Sequence, residues 1–289
     1  MKHSFTFFLF VFISVVSCKE DYDVVPYVVN IEDATGYDYS STNLIFSVSN
    51  TKKIYFSKGN LQYQASTNTW RFAEHQYDCI GGNQNYFSST SEDWIDIFCY
   101  GTSGYNGKYP YMYNYDYFAG DISGTNYDWG VYNKISNGGN VAGLWRTLTY
   151  DEWKYLLYSR KNANDLRAQV EIEDDDIDPL GRDGWVLLPD NWVKPEKISF
   201  SSDKKNKYNI REWKKMEASG AVFLPVKTTV YGEYWTGSFD SDPYESCPYS
   251  ILFSDYSYFG IDHSGGSRWL AVRLVCDANK CDALKLVKK

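Results

Sequence analysis

The reading of the fold turns on Thr149-Tyr150-Asp151-Glu152-Trp153-Lys154-Tyr155-Leu156-Leu157. The Thr149 hydroxyl oxygen can take an orphan amide of the first turn, and Glu152 can reach back to the Thr149 amide, which is a capping box. Trp153, Leu156 and Leu157 then fall on one face at helical spacing. Asn209-Ile210-Arg211-Glu212 repeats the device with an asparagine cap, Trp213 and Met216 share a face, and Gly220 is the stop. Each predicted helix leads to a buried strand: Gly184-Trp185-Val186-Leu187-Leu188-Pro189 after a loop, and Gly220-Ala221-Val222-Phe223-Leu224-Pro225 directly. A Glu-Trp-Lys helix followed by a Gly-x-Val-x-Leu-Pro strand therefore occurs twice. A duplication within the fold and two unrelated copies of a common helix-strand unit account for it equally well.

Outward from this centre the chain reads as short strands and turns. Leu44 to Ala65 forms a hairpin, with alternation over Ile45–Val48 and Lys53–Phe56 and turns at Ser49-Asn50-Thr51 and Ser57-Lys58-Gly59-Asn60. Trp70-Arg71-Phe72 is a further strand. Gly81 to Gly139 is rich in Gly, Asn, Ser, Asp and Tyr without periodicity and reads as a long functional loop. The carboxylates Glu171, Glu173, Asp174, Asp175, Asp176 and Asp178 read as a solvated loop. They could also hold calcium, although they lack the Gly-centred alternation of an EF-hand. Strands over 232–238, 249–253, 256–261 and 269–275 read as an antiparallel meander with polar, aromatic tips.

With 29 Lys+Arg against 37 Asp+Glu, the net charge of −8 argues against nucleic acid as a partner. Aromatic residues make up 18% of the chain, and Tyr with Trp suits half-exposed sheets and binding surfaces. Phe5 to Val16 is almost wholly apolar, interrupted by Thr6 and Ser14, and has the length of a signal-peptide core. It ends in Val15-Val16-Ser17-Cys18, which resembles a bacterial lipobox, so Cys18 is the expected site of lipid attachment and the membrane a partner through that anchor. Lys19-Glu20-Asp21 resembles the surface-export signal of Bacteroidetes lipoproteins. The expected location is the outer membrane, facing the exterior. Five other cysteines remain. Cys276 with Cys281, and Cys79 with Cys99, are possible disulfides, leaving Cys247 odd. No metal site is expected, because His is scarce and no Cys-x-x-Cys pair occurs. No cofactor is expected beyond the possible calcium.

The order Gly-Asn-Leu-Gln-Tyr (59–63), Trp-Arg-Phe-Ala (70–73), Asp-Trp-Gly (128–130), Gly-Leu-Trp-Arg-Thr-Leu-Thr-Tyr-Asp-Glu-Trp (143–153), Leu-Leu-Pro-Asp-Asn-Trp (187–192), Tyr-Trp-Thr-Gly-Ser (234–238) and Ala-Val-Arg-Leu-Val (271–275) resembles a paralogous family of Bacteroidetes surface proteins. That family is grouped with the fibrobacter major paralogous domain (FISUMP). The resemblance runs from about Leu44 to Val275. It implies an α+β domain with a C-type-lectin-like fold, related to the formylglycine-generating enzymes: two capped helices packed on a small twisted antiparallel sheet, with long irregular loops. Residues 148–153 are similar to the helix start of those enzymes. Their paired thiols do not carry over, because Cys276 and Cys281 follow the Val272-Arg273 strand rather than precede it. Asp242-Pro243 is the nearest echo of a calcium-lectin sugar motif and lacks its carboxamide.

The expected organisation is a signal peptide over 1–17, an acidic tether over 18–43, the domain over 44–276 and a tail over 277–289. The expected function is a surface-displayed binding module for a glycan or a protein, and not an enzyme. An adhesin or pilus component is the alternative, followed by an exported carbohydrate-active enzyme. The candidate ligand face is the set of tips in the terminal strands: Tyr234, Trp235, Asp240, Asp242, Tyr244, Tyr256, Tyr258, Asp262, His263 and Arg268.

Overall fold

Strand order is easiest to follow from the two apolar strands at the centre of the sequence. In a computed structural model, which describes residues 44–80, 88–112, 117–174, 178–226, 231–242, 244, 246–254 and 259–281, β8 (Asp178–Leu187) lies between β7 (Arg167–Asp174) and β10 (Val222–Pro225). β9 (Asn206–Asn209) completes this four-stranded sheet, pairing parallel to β7. Leu224 faces Trp185 and Val222 faces Leu187 in antiparallel register. Side chains alternate across a strand. Trp185, Leu187, Val222 and Leu224 therefore enter one apolar cluster, while Val186, Leu188, Ala221 and Phe223 enter another. Burial on both faces is why these strands read as continuous apolar runs.

Three further sheets surround it. β1 (Phe46–Ser47), β2 (Lys53–Phe56) and β15 (Val275–Asp277) form one, joining the two ends of the domain. β4 (Thr69–Phe72), β3 (Leu61–Gln64) and β5 (Trp94–Ile95) form another. The largest runs β13 (Phe259–His263), β12 (Cys247–Ser254), β11 (Tyr231–Asp240), β14 (Leu270–Ala271), β6 (Ile97–Phe98). Among the described residues helix comes in short pieces: α1 (Trp129–Tyr132), α2 (Tyr150–Lys154) with a π-helical continuation over Tyr155–Ser159, α3 (Ile210–Ala218), a 3-10 turn over Tyr105–Gly107, and helical residues at 278–281. Among the described residues no helix is long and apolar enough to cross a membrane.

This corrects the expected α+β, C-type-lectin-like layout. Both capping boxes form, at Thr149/Glu152 and at Asn209/Glu212. The helices they start are short, however, and the domain is built mainly of strand, in four sheets rather than one small one. The reason is visible in two stretches. Of the acidic run expected as a loop, Glu171, Glu173 and Asp174 lie in β7 and Asp178 in β8, and Lys205 and Lys207 hold Glu171 while Lys207 also reaches Glu173; Asp175 and Asp176 lie outside the described residues. The expected loop over 81–139 contributes Phe98, Tyr100, Ile122, Trp129 and Ile135 to the core, and the strands β5 and β6. The terminal meander is also broken. β11, β12 and β13 are antiparallel neighbours, but β14 crosses to the far side of β11 and pairs parallel to it. Cys276 and Cys281 are fully buried and disulfide-bonded, with Cα atoms 6.3 Å apart.

The family-like motif around Trp145 owes its residues to packing. Asp128 caps α1 and accepts from the Thr147 amide at 2.8 Å and hydroxyl at 3.0 Å. A Cβ on Gly130 would stand 2.6 Å from the Trp145 carbonyl oxygen, so only glycine lets α1 lie against that segment. Arg146 donates to both Glu152 oxygens, at 2.7 and 2.9 Å, and to Asp277 at 2.6 Å.

Candidate binding groove

β3 is flanked by β4 on one side and β5 on the other. Gln62 faces Arg71 across one ladder, and Gln64 faces Trp94 across the other. Gln62 and Gln64 are two apart and share a sheet face. The Arg71 side chain crosses that face and lays its guanidinium over the Trp94 indole, 3.7 Å from the ring centroid. Its Nε donates to Gln62 Oε1 at 2.8 Å. Stacking fixes the plane of the guanidinium, and the Gln62 bond fixes its rotation within that plane.

Gln62, Arg71 and Trp94 line a groove of about 550 Å³. Lys58 enters from the turn after β2, Glu74, Tyr77, Asp78, Cys79 and Ile80 from the segment after β4, Asn137 from beyond α1, and Arg182 from β8. Asn137 is held to the Phe72 backbone by two hydrogen bonds, at 2.7 and 2.9 Å, so that wall is fixed. Asp78 Oδ2 accepts from the His75 amide at 2.9 Å, and the His75 ring stacks on Tyr77 with centroids 5.0 Å apart. Among the described residues no partner takes the two Nη groups of Arg71 or the Lys58 ammonium. Burial pulls the Arg71 pKa down, and the nearby Asp78 and Glu74 carboxylates oppose that shift. A second, smaller cavity of about 350 Å³ lies by Arg167, Trp185 and Lys204.

Of the ten residues of the face expected from the sequence, the eight described ones serve mainly packing and strand ends. Tyr234 and Trp235 are each 1% exposed and belong to the core. The Tyr234 hydroxyl accepts from Asn60 at 3.0 Å, and the Trp235 indole donates to the Phe98 carbonyl at 2.7 Å. Both faces of β11 are covered over residues 232–237, so alternation gives no exposed aromatic row there. Arg268 is locked to Glu233, a buried carboxylate that also accepts from Ser250 and Ser264 at 2.9 and 2.8 Å. Asp240 accepts from the Asp242 amide at 2.9 Å, from the Tyr249 hydroxyl at 2.8 Å and pairs with His263 Nε2 at 2.9 Å. These bonds hold its carboxyl below the usual range. Asp262 accepts from the His263 amide at 2.8 Å. Asp242 in turn holds the amide of Tyr244, whose side chain is 95% exposed. Asp240, Asp262 and His263 thus serve the strand ends, and Asp242 and Tyr244 form an isolated tip. Cys18, Tyr256 and Tyr258 lie outside the described residues.

Cys79 and Cys99 are not joined to each other. Cys99 is buried with its thiol toward the Ser267 carbonyl, and Cys79 lines the groove. No group of three or more His, Cys, Asp or Glu side chains is placed to hold a metal ion among the described residues. No family model, no curated protein and no solved structure matches the chain. The family resemblance therefore rests on the quoted motifs alone.

Proposed function

We propose that the chain is a lipoprotein displayed at the outer membrane through Cys18, and that it binds a glycan rather than turning one over. The observation that carries the binding role is the Arg71–Trp94 groove. A guanidinium held over an indole, beside a half-buried lysine and fixed polar walls, is a preformed recognition surface in a cavity of ordinary ligand size. The Trp94 face holds the guanidinium in place, and the amide, cationic and carboxylate groups around it can take sugar hydroxyls. The apolar run before Cys18 supports export and lipidation.

The test is a glycan array with the 19–289 chain, its Trp94→Ala variant and its Tyr244→Ala variant. The groove predicts a specific signal that Trp94→Ala abolishes and Tyr244→Ala leaves intact. The reverse pattern would place binding at the β11–β12 tip and sink the groove. Anchoring is checked separately: Cys18→Ala should release the chain from the membrane fraction and remove fatty-acid labelling.

A further inference from the structure

We infer that the ligand of this groove carries a carboxylate, as a sugar acid does, and that the Arg71 fork is its anchor. The inference rests on the groove being the binding site. The Arg71 guanidinium is stacked on Trp94 and tied at Nε to Gln62, so its position is set before any ligand arrives. What it presents to the groove is the outer edge with both Nη groups. A planar, pre-oriented pair of N–H donors matches the two oxygens of a carboxylate. Lys58 adds a second cation on the same groove, and Arg182 a third. These three cations stand out on a chain whose net charge is −8.

Glu74 and Asp78 share the lining and narrow the ligand class. A ligand that is anionic throughout, such as an acidic peptide or a polyphosphate, would set its charges against these carboxylates. A sugar acid has one carboxylate per ring and hydroxyl donors around it. It can give the carboxylate to Arg71 and hydroxyl hydrogens to Glu74 and Asp78. The groove volume of about 550 Å³ fits a ligand of a few rings rather than an extended polymer surface.

The experiment uses a panel of uronate- and sialate-bearing oligosaccharides, each beside its carboxyl methyl ester, titrated against the 19–289 chain. At least one acid should bind about tenfold or more tighter than its ester, the worth of a charge-assisted hydrogen-bonded pair, with the preference weakening as salt rises. Arg71→Lys keeps the charge but loses the fork, and should collapse the acid-to-ester ratio. Lys58→Ala is a second variant in a turn, should reduce the same ratio, and stands in if Arg71→Lys does not fold. Acids and esters binding alike, with Trp94→Ala abolishing both, would leave the groove as the site and overturn the carboxylate. No acid bound more tightly than its ester anywhere in the panel, or an Asp/Glu-rich peptide displacing every glycan, would overturn it as well.

Discussion

Asp128 is fully buried, and its carboxyl is surrounded by donors: the amides of Thr147, Gly130 and Gly124 and the Thr147 hydroxyl. Burial pushes its pKa up to about 6, against the pull of those four donors. The folded state therefore holds this proton more tightly than the unfolded chain, where the pKa is about 3.9. The contribution of Asp128 to stability is full below about pH 4 and is lost as pH rises through about 6, by on the order of 3 kcal/mol. Asp128→Asn cannot titrate, and its amide places N–H groups against N–H groups. The variant should be less stable, and its deficit against wild type should shrink between about pH 4 and about pH 7. Urea unfolding at several pH values reads this directly, and a deficit that widens with pH would refute it. Nothing in the local sequence hints at the site. Asp-Trp-Gly is legible as a motif, but the partner that makes Asp128 special, Thr147, is 19 residues away. Gly130→Ala belongs to the same contact. A methyl group 2.6 Å from a backbone oxygen forces the helix to move, which should cost about 1–3 kcal/mol in thermal or chemical unfolding.

At the scale of elements, local chemistry was readable and pairing was not. The two capping boxes span four residues each, so Thr149/Glu152 and Asn209/Glu212 declare themselves in the chain. The β7–β8 hairpin did not, because Glu171 and Glu173 carry their charge outward toward Lys205 and Lys207 on neighbouring chain, and a charged strand face reads as a loop. The two caps also predict different energetics. Asn209 is exposed, and Asn209→Ala should cost about 1 kcal/mol, the ordinary worth of a cap. Glu152 does two things: it closes the cap of α2 and neutralises Arg146, most of which is out of solvent. Glu152→Ala leaves that guanidinium with Asp277 as its one carboxylate and should cost about 3 kcal/mol or more. A double-mutant cycle of Glu152 and Arg146 measures the coupling. A cost for Glu152→Ala no larger than for Thr149→Ala would mean that the ion pair adds nothing beyond the cap.

For the molecule as a whole, closure depends on the C-terminal strand. β15 lies against β2, so the first hairpin of the domain and its last strand form one sheet. Asp277 at the end of β15 reaches Arg146, which reaches Glu152, so one chain of ion pairs ties the C-terminus to the start of α2. The Cys276–Cys281 bridge then pins the helical stretch 278–281 that follows β15. The binding groove depends on similarly long-range closure. Its walls come from the turn after β2, from β4, β5, the segment beyond α1 and β8, and no pattern in any one of them points to the others. That is why Trp-Arg-Phe was legible as a strand and not as a site. Breaking the bridge with Cys276→Ser and Cys281→Ser removes a short loop closure and should cost about 2 kcal/mol while leaving a cooperative transition. Ending the chain after Leu274 is a larger change, because it removes the β15–β2 ladder, the Asp277 carboxylate and the bridge together. Those losses exceed the whole margin of an ordinary domain, of about 5–15 kcal/mol, once the apolar surface of β2 is also opened to water. The truncated chain should show no cooperative melt by near-ultraviolet circular dichroism. If it melts like the full chain, the sheet that joins the two ends is not what closes the fold.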